Sequence, residues 1–567
     1  MGKQCERPGF DWRGWSLAAV FCLMAAMAAA QQPKAATAPA PPTAKITPEQ
    51  GRQLFALVDQ LIKFSSEETG LPIKSEVKRQ ITSRAAVEGY LKEKFEDDES
   101  AKRMQRGEIV LKKFGLLDRD FNLKPFLLAL LKEQIEAYYD FKTKTVYMLD
   151  WVDIEEQKPV LAHELTHALQ DQHSDLEKWN DQTPDDVSLN SQGDTDHLAK
   201  DEMDTAREAV VEGQATAVMM DYVLKPMGKS LVKDPELIET LKQQMSGAQD
   251  SPVLARAPLL LSESLLFPYR EGLSFEQDIW MDQGQAAAFA GTMDRPPTSS
   301  WEIINPREYE SKHVPSIPLL PNIHPLVDKL YKPYDIGQMG QLDVHILSEI
   351  FGGDEAAANL TPAWDGGLYW AGQRLNAKTP VDQASTNSIA IFYLSVWKNE
   401  ASAQAFAKLY ADELGRKYSG VKLESDTGSG KVEKTFGSSG VSVFATPASA
   451  SRKSTASDPA LPSGEQVYST NEGPVVITTR GKMVFVAESF PVDVARKLTA
   501  LVLDAQGTGD VHLAQSAQPG AAVLKSEVLE PLTGNMVRFF SNCGVMKAAV
   551  RAAMRTGVTS LTPPGVR

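Results

Sequence analysis

Cysteine is almost absent from this 567-residue chain: Cys5, Cys22 and Cys543 are all there is. The first two lie in an N-terminal stretch with the character of an export signal, leaving one thiol beyond it. That excludes an intrachain disulfide framework and a thiolate-based zinc site. Any metal must be held by histidine and carboxylate. Histidine is scarce as well, eight in all, so a regular spacing among them carries weight. Positive charge is in deficit, with 59 Lys and Arg against 74 Asp and Glu and a net charge of −15. This argues against a nucleic-acid binder and says nothing about which substrate is preferred. Beyond residue 30 no run is long and apolar enough to span a bilayer. What remains is ordinary globular composition, 42% hydrophobic and 23% charged, in a chain too long for one core.

The N-terminus has the layout of a secretory signal over 1–30. Lys3, Arg7 and Arg13 precede an apolar run from Trp15 to Ala29, and Ala28-Ala29-Ala30 offers a small-residue cleavage site. The run is short for a membrane span, so the expectation is an exported, periplasmic or secreted protein without a stable span after cleavage; retention as an uncleaved anchor is the alternative. Residues 31–46 are Ala/Pro-rich and read as a tether. Folded sequence starts at Thr47-Pro48-Glu49, a helix-start signal.

The fold class expected is α+β. Residues 47–350 read as mostly helical with a small hairpin at Tyr138–Leu149, followed by a helix from Lys158 to Gln172 and another from Thr205 to Leu224. The acidic stretch 174–204 reads as a solvated insertion, since it lacks any recognised calcium-ligand spacing. Residues 235–350 mix helices with Pro-rich loops. Residues 365–505 read as a separate antiparallel α+β domain, with strands at GLYWAG, SIAIFYLSVW, VSVFAT, QVYST, PVVITT and KMVFVAE and helices at Glu400–Tyr418 and Val492–Leu503. Residues 506–567 form a weakly patterned tail with a helix near Asn542–Arg555.

The chemistry-bearing motif is HELTH at His163–His167. Histidines four apart on a helix share one face, one turn apart, so both can ligate one zinc ion. Glu164 follows the first histidine, placed to act on a water as general base without binding the metal. With eight histidines in the chain the pattern arises by chance in about one such sequence in a hundred. A catalytic zinc site needs a third protein ligand. Glu212, in AREAVVEGQATAVMMDY, is the best candidate: it is flanked by Gly213, Ala215 and Ala217, which permit close helix packing. Glu208, one turn earlier, is the competing ligand or an orienting partner for a histidine. Tyr269 and His324 are candidate donors to the transition state, with His313 and Tyr222 behind them.

HELTHALQD resembles the active-site helix of thermolysin-type gluzincins, and VEGQA resembles the third-ligand segment of gluzincin aminopeptidases. The same arrangement is similar to a group of exported bacterial HExxH proteins. The resemblance implies a zincin-like catalytic region holding one Zn2+ on His163, His167 and Glu212, with Glu164 as base and Asp171 as a further second-shell position. It also implies a peptide or protein substrate, held extended along the edge strand before the HExxH helix. It spans two short helices, and the gap between them is longer than in thermolysin. Two other readings stay open: a non-catalytic peptidase-like scaffold, and a metallohydrolase acting on a non-peptide amide.

Overall fold

The computed structural model describes residues 46–507, apart from 88, 90–97, 135–136, 181, 183–186, 188, 247–251 and 428–462. The export signal, most of the tether, the run at 441–446 and the helix at 542–555 lie outside the described residues. Numbering helices of eight residues or more, the order begins α1 (Pro48–Thr69), β1 (Lys78–Thr82), α2 (Asp98–Phe114), α3 (Leu123–Gln134), β2 (Ala137–Asp140) and β3 (Thr145–Leu149). It continues with α4 (Ile154–Ser174), α5 (Ser191–Leu198), α6 (Met203–Leu224), α7 (Leu237–Ser246) and α8 (Leu259–Gln283). The rest is β4 (Tyr331–Gln338), α9 (Gln341–Leu360), β5 (Trp364–Arg374), β6 (Ile389–Trp397), α10 (Glu400–Asp412), β7 (Lys422–Asp426), β8 (Ser463–Ser469), β9 (Val475–Arg480), β10 (Met483–Glu488) and α11 (Val492–Ala505). The chain is α+β. Among the described residues no helix is long and apolar enough to cross a membrane.

Helix α1 starts where the sequence signals it. The Thr47 side chain accepts from Gln50 N–H, Gln50 Oε1 accepts from Thr47 N–H at 2.8 Å, and Pro48 occupies the first turn. Gly70, at φ 69°, ends it in the left-handed conformation. The hairpin at 138–149 is present as two arms of a three-stranded sheet in the order β1-β3-β2, with β3 parallel to β1 and antiparallel to β2. Strand β2 is therefore an edge.

The second sheet is antiparallel, in the order β4-β5-β6-β10-β9-β8-β7. Its central strands are buried on both faces, which explains why SIAIFYLSVW is apolar throughout instead of alternating. Ile391, Tyr393, Val484 and Val486 face the core shared with α1, α4 and α6. Phe392, Leu394, Phe485 and Ala487 face α11. The sheet takes its first strand from upstream of residue 365. Strand β4 was hidden by breakers: Pro333 and Gly337 interrupt YKPYDIGQ, and proline is tolerated because β4 is an edge with a bulge between Pro333 and Asp335.

The joint between sheet and helices is polar as well as apolar. Lys113, at the end of α2, is fully buried and donates to Glu472 Oε2 at 2.8 Å and Ser489 Oγ at 2.7 Å. Burial holds its ammonium down to about 8 against the pull of Glu472 and Glu488. Lys417 donates to the Tyr410 hydroxyl and Glu488, and the Tyr418 hydroxyl also donates to Glu488.

Among its described residues, the stretch 174–204 is not the solvated insertion expected from the sequence. Asp194, His197, Leu198, Asp201 and Glu202 are buried. Each carboxylate has a partner that makes burial tolerable. His324 Nε2 lies 3.0 Å from Asp194 Oδ2, Gln338 N–H donates to Asp201 at 2.7 Å, and Ser300 donates to Glu202 through N–H and hydroxyl. Asp335 sits in the same region. Burial pushes its carboxyl up to about 7, although the Tyr369 hydroxyl donates to it at 3.1 Å.

A carboxyl raised in this way holds its proton more tightly folded than unfolded. The stability it contributes is whole below the unfolded value of about 4 and is lost as pH rises through 7. Asp335→Asn is expected to gain on the wild type by a few degrees of Tm between about pH 5 and pH 8, measured by thermal unfolding. A difference that stays constant over that range would mean Asp335 is already ionised in the native protein.

Candidate metal centre

From Leu161 to Asp171, helix α4 is buried on every side. It is capped by Asp153, whose side chain accepts from Glu155 N–H at 2.8 Å, and it packs between α1, α6 and the small sheet. One turn of helix separates His163 from His167, and their rings meet edge to face, 4.7 Å between centroids.

Helix α6 brings the third group. Glu212 Oε2 lies 3.1 Å from His163 Nε2 and 3.6 Å from His167 Nε2, and Glu212 is wholly inaccessible to solvent. Ligands bound to zinc at 2.0–2.2 Å in a tetrahedron stand about 3.3–3.6 Å apart, a spacing the Glu212–His167 distance meets and the Glu212–His163 distance falls slightly short of. Glu164 also lies in the cluster, with a carboxylate oxygen within 4.8 Å of donor nitrogens on both rings. Its Oε2 is engaged elsewhere, accepting the Tyr139 N–H of edge strand β2 at 2.7 Å. Both carboxylates adjoin the rings: Glu212 Oε2 faces the two Nε2 atoms, and Glu164, which with the two histidines forms a group able to hold a metal ion, also accepts a backbone N–H from β2. Glu208 is buried one turn before Glu212.

Helix α6 can sit this deep because its backbone touches α8 directly. A Cβ on Gly213 would meet the Gly272 carbonyl at 2.3 Å, and one on Gly272 would meet Ala209 O at 2.2 Å. The small residues around Glu212 do permit close helix packing, and the closest partner is α8.

Other sequence candidates divide. Tyr269, on α8, is brought to the site: its ring lies 6.2 Å from that of His163, with an interplanar angle of 20°. His324 is not. Its ring nitrogens face Asp194 at 3.0 Å and Asp328 at 3.1 Å. Leu320, Ile323 and Val327 around it pack with the sheet face that carries α11. Asp171 is not a ligand or a partner of the histidines either. It stands one turn beyond His167 on the same helix, but its carboxylate is occupied by other partners. Its Oδ2 accepts from the Tyr139 hydroxyl at 2.8 Å and from Lys144 at 2.7 Å, and its Oδ1 accepts from Leu176 N–H. Asp171 fastens β2 and its turn to α4. Burial and then the Asp171 charge push the Tyr139 phenol upward, keeping it a donor.

Two site residues escaped sequence reading. Gln170 Oε1 lies 2.8 Å from His167 Nδ1, and Gln170 meets Gln214 at 2.8 Å. The available signal was two amide side chains inside otherwise small and apolar helix stretches, HALQD and EGQAT, where an unpaired polar group is costly.

Comparison with protein-family models, curated proteins and solved structures found no match.

The Gly213–Gly272 contact sets the depth of Glu212. Gly213→Ala is expected to cost about 1–3 kcal/mol in denaturant unfolding and to reduce metal uptake by displacing Glu212. A cost below about 0.5 kcal/mol would show that the helices separate freely, contrary to the packing.

Proposed function

We propose that this chain is an exported zinc-dependent metallopeptidase of gluzincin type. The observation that carries the reading is the convergence of His163, His167 and Glu212 from two buried helices, with a fourth group, Glu164, held beside them by a strand edge. His163, His167 and Glu212 would hold the ion. A zinc ion bound there supplies Lewis acidity, activating a water and polarising the scissile carbonyl.

The chain's own groups supply the rest. Glu164 takes the proton of the attacking water on its carboxylate and returns it to the leaving amine. The Tyr139 N–H fixes that carboxylate in place through a hydrogen bond that needs no side-chain ordering. Strand β2 borders Glu164 at a sheet edge; with its Tyr139 N–H taken by Glu164, an extended peptide would pair with the remaining edge groups of the strand. Tyr269 is the candidate donor to the developing oxyanion, standing over the His163 ring.

Metal analysis and a peptide-library digest test the reading together. Wild-type protein is expected to hold about one zinc per chain, and His163→Ala and Glu212→Ala to lose it. Glu164→Gln is expected to keep the metal and lose about 10²–10⁴-fold in peptide hydrolysis. Undiminished cleavage by a zinc-loaded Glu164→Gln variant would sink the mechanism.

A further inference from the structure

The two histidines are supported unequally. His163 Nδ1 is buried and has no hydrogen-bond partner among the described residues. His167 Nδ1 begins a chain of contacts that crosses three helical segments. Gln170 Oε1 stands 2.8 Å from it; Gln170 Nε2 reaches Val211 O at 3.0 Å and Gln214 Oε1 at 2.8 Å. Gln214 Nε2 then reaches Ala288 O at 3.1 Å, Phe289 O at 2.9 Å and Thr292 Oγ1 at 2.9 Å. Ala288 and Phe289 belong to a single π-helical turn, Ala287–Gly291. Such turns are frequent at functional sites.

The polarity of this chain is forced. An amide can be turned end for end, but carbonyl oxygens only accept. The Gln214 atom facing Ala288 O and Phe289 O must therefore be nitrogen, and the atom it presents to Gln170 must be oxygen. The Gln170 atom between that oxygen and Val211 O must be nitrogen by two independent requirements. Gln170 accordingly turns its oxygen to His167, and an amide oxygen draws a proton onto Nδ1. The neutral His167 ring then carries its lone pair on Nε2, the atom 3.6 Å from Glu212 Oε2.

We infer that Gln170 and Gln214 are positioning residues that fix His167 as the Nδ1–H tautomer and aim its Nε2 at the metal, with the carbonyls of the 287–291 turn as the origin of the polarity. The role rests on the metal reading above; the tautomer does not. A hydrogen-bond acceptor on the far nitrogen of a ligand histidine orients its ring and raises its basicity.

The test uses the full chain labelled with [15N]histidine, and a series of three variants. Two-bond 15N–1H correlation on metal-free protein reports the tautomer, and competition with a chelator reports zinc affinity. Wild type is expected to show His167 protonated at Nδ1, and Gln170→Leu a mixture of tautomers. Gln170→Leu and Gln214→Leu are each expected to weaken zinc binding by about 10–100-fold. Gln277→Leu removes another buried amide, which donates to Leu231 O at 2.8 Å, and controls for general loss of stability. It is expected to leave zinc affinity within about twofold of wild type. An Nε2–H tautomer in metal-free wild type overturns the inference. So does zinc affinity in Gln170→Leu within about threefold of wild type, or an equal loss in Gln277→Leu. If wild type takes up no zinc yet shows Nδ1–H that disappears in Gln170→Leu, the relay stands and the metal reading falls.

Discussion

Two helix backbones meet at Gly213 and Gly272 with no room for a Cβ between them, and much of the interior is arranged by that contact. It lets α6 run buried from Glu208 to Val218 and carries Glu212 in to the two histidine rings of α4. Depth has an electrostatic consequence. In a region of low effective dielectric, a carboxylate aimed at two imidazoles interacts with them, or with a cation among them, far more strongly than it would in water. The same depth makes every unpaired polar atom costly, so the amide and carbonyl partners packed around the site are a condition of its existence.

The HELTH pair was legible because helical spacing alone puts its histidines on one face, whatever lies around them. Glu212 was legible because a carboxylate amid Gly and Ala on an apolar helix has few reasons to be there other than a buried partner. The central strands of the large sheet were legible from their β-branched and aromatic runs. What could not be read depended on partners distant in sequence. The acidic stretch around Asp194 and Asp201 looks like a surface until His324 and the Gln338 N–H are brought to it from 130 and 137 residues away. His324 was drawn off by that same pairing. Asp171 stands one turn beyond HELTH, but its carboxylate is taken by the Tyr139 hydroxyl, Lys144 and the Leu176 N–H. Strand β4 hid behind a proline that only an edge position forgives.

Strand β2 illustrates how one element can serve structure and chemistry at once. Its inner edge pairs with β3, its Tyr139 hydroxyl is tied through Asp171 to the far end of α4, and its outward N–H meets Glu164. The carboxylate and the strand edge are thereby registered to each other by two anchors about two helical turns apart. Both anchors lie on α4, the helix that also carries His163 and His167, so the strand is registered to the same element as two of the three converging groups.

The buried ion pairs at the joint between α2 and the large sheet bear on how such a chain can be inherited. A gene segment encoding the sheet alone would carry Glu472, Glu488 and Lys417 into a protein without Lys113, leaving a surplus of desolvated negative charge. Removing one member of a buried pair is far more damaging than replacing the whole set with apolar residues. Exchanging the sheet portion alone is thus expected to cost stability unless the partners of these buried charges change with it.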